Sequence, residues 1–422
     1  MRIRLSMARR VFCLAVFLPW TGAATAQDFE APPVFEASDW VPADLMSGPG
    51  FEVAPQAPND GWLNRYTITT PDGSLEVDGT EMLELRAHEM YALHALKQLE
   101  GTDEFLEAAE SAATGPLDFA KNMVLSPVDT TGAVASGVGS FFENIGHSMF
   151  GGGSEDEESV VKSILGFDEI KRGYAKEFGV DPYATNPILQ DELNSVSRTG
   201  FAGGIGPRAA FSLVPGGVGV AVQATSFSDS MSELVYTNTP AALKDLNRDK
   251  LAAMGVDSET AGLFLEHPKY SPTRKTFIVD ALEQMSDVEN RGALIEVALL
   301  AESAGDAFLW QQKAEMFAGY HANVAPSGRM IRVATDVALL TPDGLLVAMV
   351  PTDHVAWTER NEALTTRTAS EQVIADAVAA SGGAEVSGIE LWFLSSVSPL
   401  AEENLKSRGM VSVADAKDRL SM

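Results

Sequence analysis

The chain of 422 residues has a single cysteine, Cys13, close to its amino terminus. Residues 1–26 are predicted below to be removed after synthesis, and the remaining chain then contains no thiol. This absence excludes disulfide bonds, zinc–thiolate sites, iron–sulfur clusters and cysteine nucleophiles. After residue 26 there is also no uninterrupted apolar run of about 18 residues of the helix-forming type, so no transmembrane anchor is expected.

Basic residues are scarce: the chain has 30 Lys and Arg against 59 Asp and Glu, a net charge of −29. Residues 1–26 hold four arginines and no acid, so the chain after them has a net charge of about −33. Such a field repels phosphate backbones and anionic lipid headgroups, and nucleic acid is not an expected partner. Two explanations stay open, namely charge that maintains solubility and a cationic partner or calcium-rich surface.

Motifs that bind cofactors or catalytic metals are also missing. No Gly-Lys-Ser/Thr phosphate loop occurs, Gly204-Ile205-Gly206 lacks the third glycine of a dinucleotide loop, and no Gly-x-Ser-x-Gly sequence is present. His88 and His94 are six residues apart, which turns their rings about 120° from each other on a helix. Two zinc ligands on one helix need a spacing of four. We therefore expect neither a cofactor nor a metal.

The first 26 residues have the three regions of an export signal. Four arginines lie in residues 1–10, residues 11–24 are apolar, and Ala24-Thr25-Ala26 is a small-x-small cleavage sequence. We expect cleavage after Ala26 and a location in the periplasm or outside the cell. Arg9-Arg10 has the spacing of a twin-arginine signal, so folded and unfolded export both stay open. Cys13 is not at the cleavage site, which excludes a lipid anchor.

Composition divides the rest of the chain into five segments. They are a proline-rich acidic tether (27–62), a hairpin with amphipathic helices (63–150), a flexible acidic linker (151–158), a helical domain with a glycine-rich apolar hairpin at 199–225 (159–325), and a small α/β domain (326–422). The expected fold class is α+β and predominantly helical. It comprises a central and late helical bundle, β-hairpins and a small C-terminal α/β unit.

Local signals place several elements. The tetrapeptide Thr-Pro-Asp-Gly occurs at residues 70–73 and 341–344, where it predicts type I turns between strands. Asn186-Pro187 and Asp181-Pro182 each pair a capping side chain with proline, as at the start of a helix. Capping boxes are predicted at 286–289 and 303–306. Residues 209–214 and 218–223 are predicted to be short buried strands.

An amphipathic helix is predicted to begin near Pro127. Its apolar residues recur at helical spacing and form one continuous stripe, made of Val134, Val138, Phe141, Phe142, Ile145 and Met149. Glycines interrupt this helix, and small residues permit close approach of another surface. Two interpretations follow: the stripe belongs to an ordinary core, or it contacts a protein partner or lies peripherally on a membrane.

Three residues are the candidates for catalysis: His321 near a predicted helix end, and Asp353-His354 after the second hairpin. A histidine held by a carboxylate is the usual construction of a general base. The sequence does not bring these residues together, and each histidine also fits a structural role. Glu84 and His88, four residues apart, are spaced for a solvated side-chain pair.

Two functional hypotheses follow from these observations. The first is an exported, non-enzymatic envelope, binding or structural protein, supported by the missing catalytic motifs and by two glycine-rich apolar segments, 127–150 and 199–225. These segments form either an ordinary core or a surface that contacts a membrane or a partner. The second is an extracytoplasmic hydrolase with an unfamiliar site of histidines and carboxylates. The second hypothesis requires His321, Asp353 and His354 to converge in a cleft.

Overall fold

The computed structural model describes residues 29–71, 73–114, 155–214, 228–368, 371–380 and 386–422. Over these residues the chain forms both helices and several β-sheets, which confirms an α+β fold. No helix in these ranges is both long and apolar enough to cross a membrane. The second predicted strand of the glycine-rich hairpin, 218–223, and the apolar stripe from Val134 to Met149 lie outside the described residues.

The amino-terminal part contains two small antiparallel sheets. Strands β2 (Ser47–Gly48), β3 (Phe51–Val53), β5 (Arg65–Thr70) and β6 (Gly73–Asp78) form one in that order, and β1 (Val34–Glu36) pairs with β4 (Gln56–Pro58). The hairpin β5–β6 is the one predicted from the turn at residues 70–73. A short helix, α1 (Ala43–Met46), connects β1 to β2.

The tether predicted for residues 27–62 is wrong for the described part of that segment. Ala37, Val41 and Leu45 recur every four residues and are buried, as are Phe51 and Val53. They pack with Tyr66, Ile68 and the following helix in one apolar core. The prolines are compatible with this because most of them lie between very short elements or at their ends, where no ladder hydrogen bond is lost.

Two groups of helices follow the first hairpin. The first contains α2 (Thr80–Glu100) and α3 (Asp103–Thr114), and the second contains α4 (Glu155–Glu177), α5 (Pro187–Gly203), α6 (Pro207–Leu213) and α7 (Asp229–Thr237). The second half of α2 packs with α4, α5 and α6 around Tyr174, Phe178 and Leu193, which are fully buried.

Three predictions fail in this region. Residues 155–158 belong to α4 rather than to a flexible linker, because acidic residues suit the positive end of a helix dipole. Residues 209–214, predicted as a strand, lie almost entirely in α6, which begins at Pro207 with the fixed φ of a first helical turn. Asp181 begins no helix, although Asn186 caps α5 as predicted.

The next group of helices consists of α8 (Pro240–Ala253), α9 (Ser258–Glu266), α10 (Pro272–Gln284), α11 (Gly292–Ala298) and α12 (Ala304–Asn323). The capping box predicted at Ser303 is confirmed, since its hydroxyl accepts from the Asp306 N–H and the Asp306 carboxylate accepts in return. The box predicted at Ser286 is wrong. The chain turns there and reverses at Asn290, whose φ is +57°, before α11 begins.

A five-stranded mixed sheet occupies the carboxyl-terminal part. Its order is β13 (Met410–Val413), β11 (Gly388–Phe393), β9 (Leu345–Val350), β8 (Asp336–Leu340) and β7 (Arg329–Val333). The strands from β13 to β9 are parallel, and β9, β8 and β7 are antiparallel. The hairpin β8–β9 is the second one predicted. A parallel pair, β10 (His354–Val355) with β12 (Ser396–Val397), lies beside it.

Four helices accompany this sheet: α13 (Glu359–Thr368), α14 (Glu371–Ala380), α15 (Pro399–Ser407) and α16 (Lys417–Leu420). Hydrogen bonds join their surroundings to the amino-terminal part. The N–H of Glu30 donates to the carbonyl of Trp357, and the carbonyls of Gly61 and Trp62 accept from residues 353–356. These hydrogen bonds hold residues 30 and 61–62 against residues 353–357, and the cavity described next is lined by residues from both parts and from α12.

Candidate functional site

His321, the first predicted site residue, connects two turns. It lies near the end of α12, where its Nε2 is 2.9 Å from the Asp287 carboxylate. Its Nδ1 accepts from the N–H of Ser327 at 3.1 Å, so we assign the ring proton to Nε2. Both ring nitrogens are thus occupied by partners that fix the loops flanking α10 and α12. This geometry favours a structural histidine.

Asp353 is buried and caps a helix from a distant part of the chain. Its carboxylate accepts from the N–H of Asn64 at 2.8 Å and from the N–H of Thr80 at 3.0 and 3.2 Å. Thr80 is the first residue of α2, and Gly79 before it has no side chain with which to cap that helix. Burial raises the pKa of Asp353, while these hydrogen bonds lower it.

His354 pairs with a serine rather than with Asp353. Its Nδ1 is 2.8 Å from the Oγ of Ser396, its neighbour in the parallel pair β10–β12. The Phe35 ring meets the imidazole edge-on at 5.1 Å. Burial lowers the pKa of His354, which leaves the ring neutral near pH 7.

The structure does not bring the three predicted residues into one constellation. The side chains of His321, Asp353 and His354 each have separate partners, and no hydrogen bond joins any two of these side chains. Over the described ranges no group of three or more His, Cys, Asp or Glu residues could hold a metal ion. The convergence that the hydrolase hypothesis requires is therefore not observed.

A cavity of about 530 Å³ lies beside Asp353. Its walls come from β6 and the first turns of α2, from the start of α12, and from the loops at 351–353 and 394–395. Trp40 and Phe308 contribute aromatic surface, and Lys417 closes one side. The volume lies within the range of small-molecule sites. Neither His321 nor His354 lines this cavity.

Six carboxyl groups and two basic groups line the cavity, and five of the carboxyl groups have protein partners. Asp353 and Asp306 cap helices as described, and Glu81 accepts from Lys417. Asp78 pairs with Arg65, and Glu76 accepts from the Thr67 hydroxyl. The sixth carboxyl group belongs to Glu84.

Glu84 lies half-buried one turn after Glu81 on α2. Its carboxylate has no hydrogen bond or ion pair with any residue the structure describes, and the residue lines the cavity. The side-chain pair predicted with His88 does not form, because His88 Nδ1 lies 2.8 Å from the backbone oxygen of Glu84 instead. Burial raises the pKa of Glu84; Glu81 and Asp353 raise it further, and Lys417 opposes them.

Sequence reasoning missed Glu84, Lys417 and Ser396. A glutamate on an amphipathic helix is ordinarily a solvated residue, and nothing local distinguishes Glu84 from Glu81. Its isolation arises because none of the described residues that surround it places a donor within hydrogen-bonding distance of its carboxylate. The sequence did indicate Asp353, but as a candidate for a general base and not as the cap of a helix.

No family model matches this chain, and no curated protein and no solved structure matches it. The assignment of function therefore depends on the geometry of the cavity and of the groups around it.

Proposed function

We propose that the chain is an exported, non-enzymatic binding protein whose cavity takes the cationic group of a small organic molecule. The observation that carries this proposal is Glu84, a half-buried residue that lines the cavity and whose carboxylate has no hydrogen bond or ion pair with the residues the structure describes. A carboxylate that has lost part of its hydration attracts a cation more strongly than one in bulk water. A ligand ammonium or guanidinium group would supply the partner that the protein does not.

The aromatic and electrostatic surroundings support a cationic ligand. Trp40 and Phe308 line the same cavity, and aromatic faces attract cations. Arg274 already lies 4.5 Å from the centre of the Phe308 ring, so at least one face of this ring is in use by the protein itself. The Trp40 ring likewise contacts the Phe35 ring, with 5.1 Å between the ring centroids. A ligand would contact the remaining surface of these two aromatic rings. The large negative charge of the chain also raises the local concentration of cations.

Isothermal titration calorimetry with L-arginine tests the proposal. We expect saturable binding to the wild-type protein at neutral pH and a loss of at least about tenfold in affinity for Glu84→Gln, an amide of nearly the same shape. Glu76→Gln is the matched control, because Glu76 lines the same cavity but is exposed and already accepts from Thr67. Equal affinity of Glu84→Gln and wild type contradicts the role of Glu84.

The pH dependence gives a second readout. A bound cation favours the ionised carboxylate, so affinity for L-arginine falls as the pH drops through the raised pKa of Glu84. In the Glu84→Gln variant this part of the pH dependence disappears. Measuring affinity at several pH values in both proteins separates Glu84 from other titrating groups.

Export is the location that this proposal assumes. It is supported by the basic start, the short apolar stretch and the Ala24-Thr25-Ala26 sequence. Amino-terminal sequencing of the protein recovered from the periplasm or the culture medium should read from Gln27. Recovery of a chain that begins at Met1, in the cytosol alone, contradicts this location.

We also infer the finer architecture from packing. Helices α9 to α12 share one core, which supports a helical bundle, and β7 to β13 support a small α/β unit. Met349 and Trp392 from the sheet are buried in that same helical core. We therefore propose that the bundle and the sheet unfold together rather than as separate units, and coincident denaturation transitions would support this.

A hydrolase is the second candidate, and the His354–Ser396 pair is the observation that favours it. A neutral imidazole 2.8 Å from a hydroxyl is placed to take its proton while the serine oxygen attacks an acyl carbon. Treatment with diisopropyl fluorophosphate tests this candidate by mass spectrometry. A diisopropylphosphorylated Ser396, formed with loss of fluoride, that disappears in His354→Ala supports this candidate, and an unmodified Ser396 rejects it.

A further inference from the structure

A compact cluster of ionisable groups lies directly behind one wall of the cavity. Arg86 lines the cavity and also donates to Glu89 at 2.6 Å and to the Thr185 hydroxyl at 2.8 Å. Glu89 is 2% exposed and accepts a second hydrogen bond from the Asn186 amide at 2.9 Å. Because Asn186 caps α5, this contact joins the cavity wall to the start of a core helix.

Arg274 on α10 is the centre of the cluster. It is 6% exposed and interacts electrostatically with Arg86, Glu89, Asp181 and Glu315. Its guanidinium donates to Gln311 at 3.3 Å, and the Gln311 amide donates to Glu315 at 3.1 Å.

Asp181 belongs to the same cluster from the loop before α5. Its carboxylate accepts from the Thr273 hydroxyl at 2.6 Å and from the N–H of Tyr183 at 2.9 Å. Three carboxyl groups and two guanidinium groups thus share one region contributed by α2, the 181–186 loop, α10 and α12. Glu89 and Arg274 are buried there, and the other three groups are partly buried.

Glu89 is paired with Arg86, but Asp181 and Glu315 accept hydrogen bonds only from neutral groups among the described residues. Each of these two carboxyl groups would, if ionised, be a partly buried charge without a cation in contact, which is unfavourable in a medium of low polarity. A proton on one of them removes such a charge without rearranging any side chain.

We propose that this cluster binds one proton at neutral pH and that its loss regulates cation binding in the cavity that Arg86 lines. The regulatory part rests on the proposed function. When the proton leaves for solvent, the region behind the cavity wall gains one negative charge, and a cation in the cavity is held more tightly. By linkage, the arrival of a cation favours release of the proton.

The surroundings of both candidate proton carriers agree with this assignment. Burial raises the pKa of Glu315 to about 7; Gln311 and Arg274 oppose the rise, and Glu81 and Asp280 add to it. Burial also raises the pKa of Asp181 to about 6; Thr273, Tyr183 and Arg274 oppose the rise, and Glu89 adds to it. Asp181 also faces Lys171, whose own pKa burial lowers to about 8.

The first experiment uses the ligand-free protein and therefore does not depend on the proposed function. A carboxyl group with a raised pKa binds more protons in the folded than in the unfolded state, so its contribution to stability is lost as the pH rises from about 4.5 to about 7. Urea titrations between pH 5.5 and 8 should therefore show wild type losing stability relative to Glu315→Gln as the pH rises. Glu302→Gln is the control, because the Glu302 side chain is exposed and makes no hydrogen bond or ion pair with the described residues. Its stability should depend on pH as that of wild type does.

If the free energy of unfolding depends on pH in the same way for wild type and Glu315→Gln, the proton site is refuted. If Glu315→Gln does not fold, Asp181→Asn provides the same comparison.

The second experiment measures protons released on binding L-arginine, by calorimetry in two buffers of different ionisation enthalpy. We expect release from wild type and less from Glu315→Gln. If the two proteins release equal numbers of protons, the regulation is refuted. If arginine does not bind but the pH dependence of stability differs between the two proteins, the proposed function is refuted and the proton site is still supported.

Discussion

The structural role of Asp353 leads to a prediction that separates it from a catalytic role. In Asp353→Ala, the N–H groups of Asn64 and Thr80 lose their shared acceptor inside the protein. An orphaned buried donor costs about 1–3 kcal/mol, and loss of a helix N-cap costs about 0.5–2 kcal/mol. The two costs overlap at Thr80, because its N–H is both the orphaned donor and the group that is capped.

An opposing contribution reduces the loss. Burial penalises the ionised form of Asp353, as the direction of its pKa shift shows, and alanine removes that penalty. We therefore expect Asp353→Ala to lower the free energy of unfolding by about 3 kcal/mol. Asp353→Asn keeps one acceptor oxygen but presents an amide to the other donor, and we expect a loss of about 1–2 kcal/mol.

Urea denaturation at neutral pH, followed by circular dichroism, measures both changes. Glu403→Ala is the control, since this exposed residue on α15 should change stability by less than about 0.5 kcal/mol. If Asp353→Ala is as stable as Glu403→Ala, the capping role is refuted. L-arginine affinity should fall less in the folded Asp353→Asn variant than in Glu84→Gln, because Asp353 directs its oxygens to backbone groups and acts on a bound cation only through its charge.

Three further outcomes follow from the packing and the ionisation of single residues. Gly319→Ala would place its Cβ 2.5 Å from the backbone oxygen of Leu420, so we expect a loss of about 1–3 kcal/mol in urea denaturation; an unchanged midpoint contradicts the docking of the chain end on α12. Glu30→Gln weakens the acceptor for the N–H of Trp357, and limited proteolysis should cut the amino-terminal segment faster than in wild type. The imidazole of His354 should titrate below the ordinary histidine range in an NMR pH series, and a midpoint above about 6.5 argues against its burial.

Features that depend on neighbouring residues could be predicted from the sequence. The turn at residues 341–344 and the caps at Asn186 and Ser303 need only a few adjacent side chains, and the structure contains all of them. A capping sequence is not sufficient, however, because a helix must also begin directly after it. Ser286 has the spacing of a capping box, but the chain reverses at Asn290 before a helix can begin.

Features that depend on distant residues could not be predicted. The segment before residue 62 has the proline content of a tether, yet Ala37, Val41 and Leu45 are buried because strands and a helix further along cover them. Sequence reasoning selected Asp353 for its proximity to His354, whereas its partners Asn64 and Thr80 lie almost 300 residues earlier. That no described residue pairs with Glu84 likewise depends on the tertiary structure, and the composition of the chain does not indicate it.

The central claim is that Glu84 recognises positive charge in the cavity, and a four-titration cycle tests it most directly. L-arginine and L-citrulline differ chiefly in that a guanidinium group replaces a neutral ureido group of similar shape. We expect wild type to prefer arginine by at least about tenfold, equivalent to about 1.4 kcal/mol, and Glu84→Gln to lose that preference. The same preference in both proteins, or no binding of arginine to wild type at millimolar concentration, contradicts the claim.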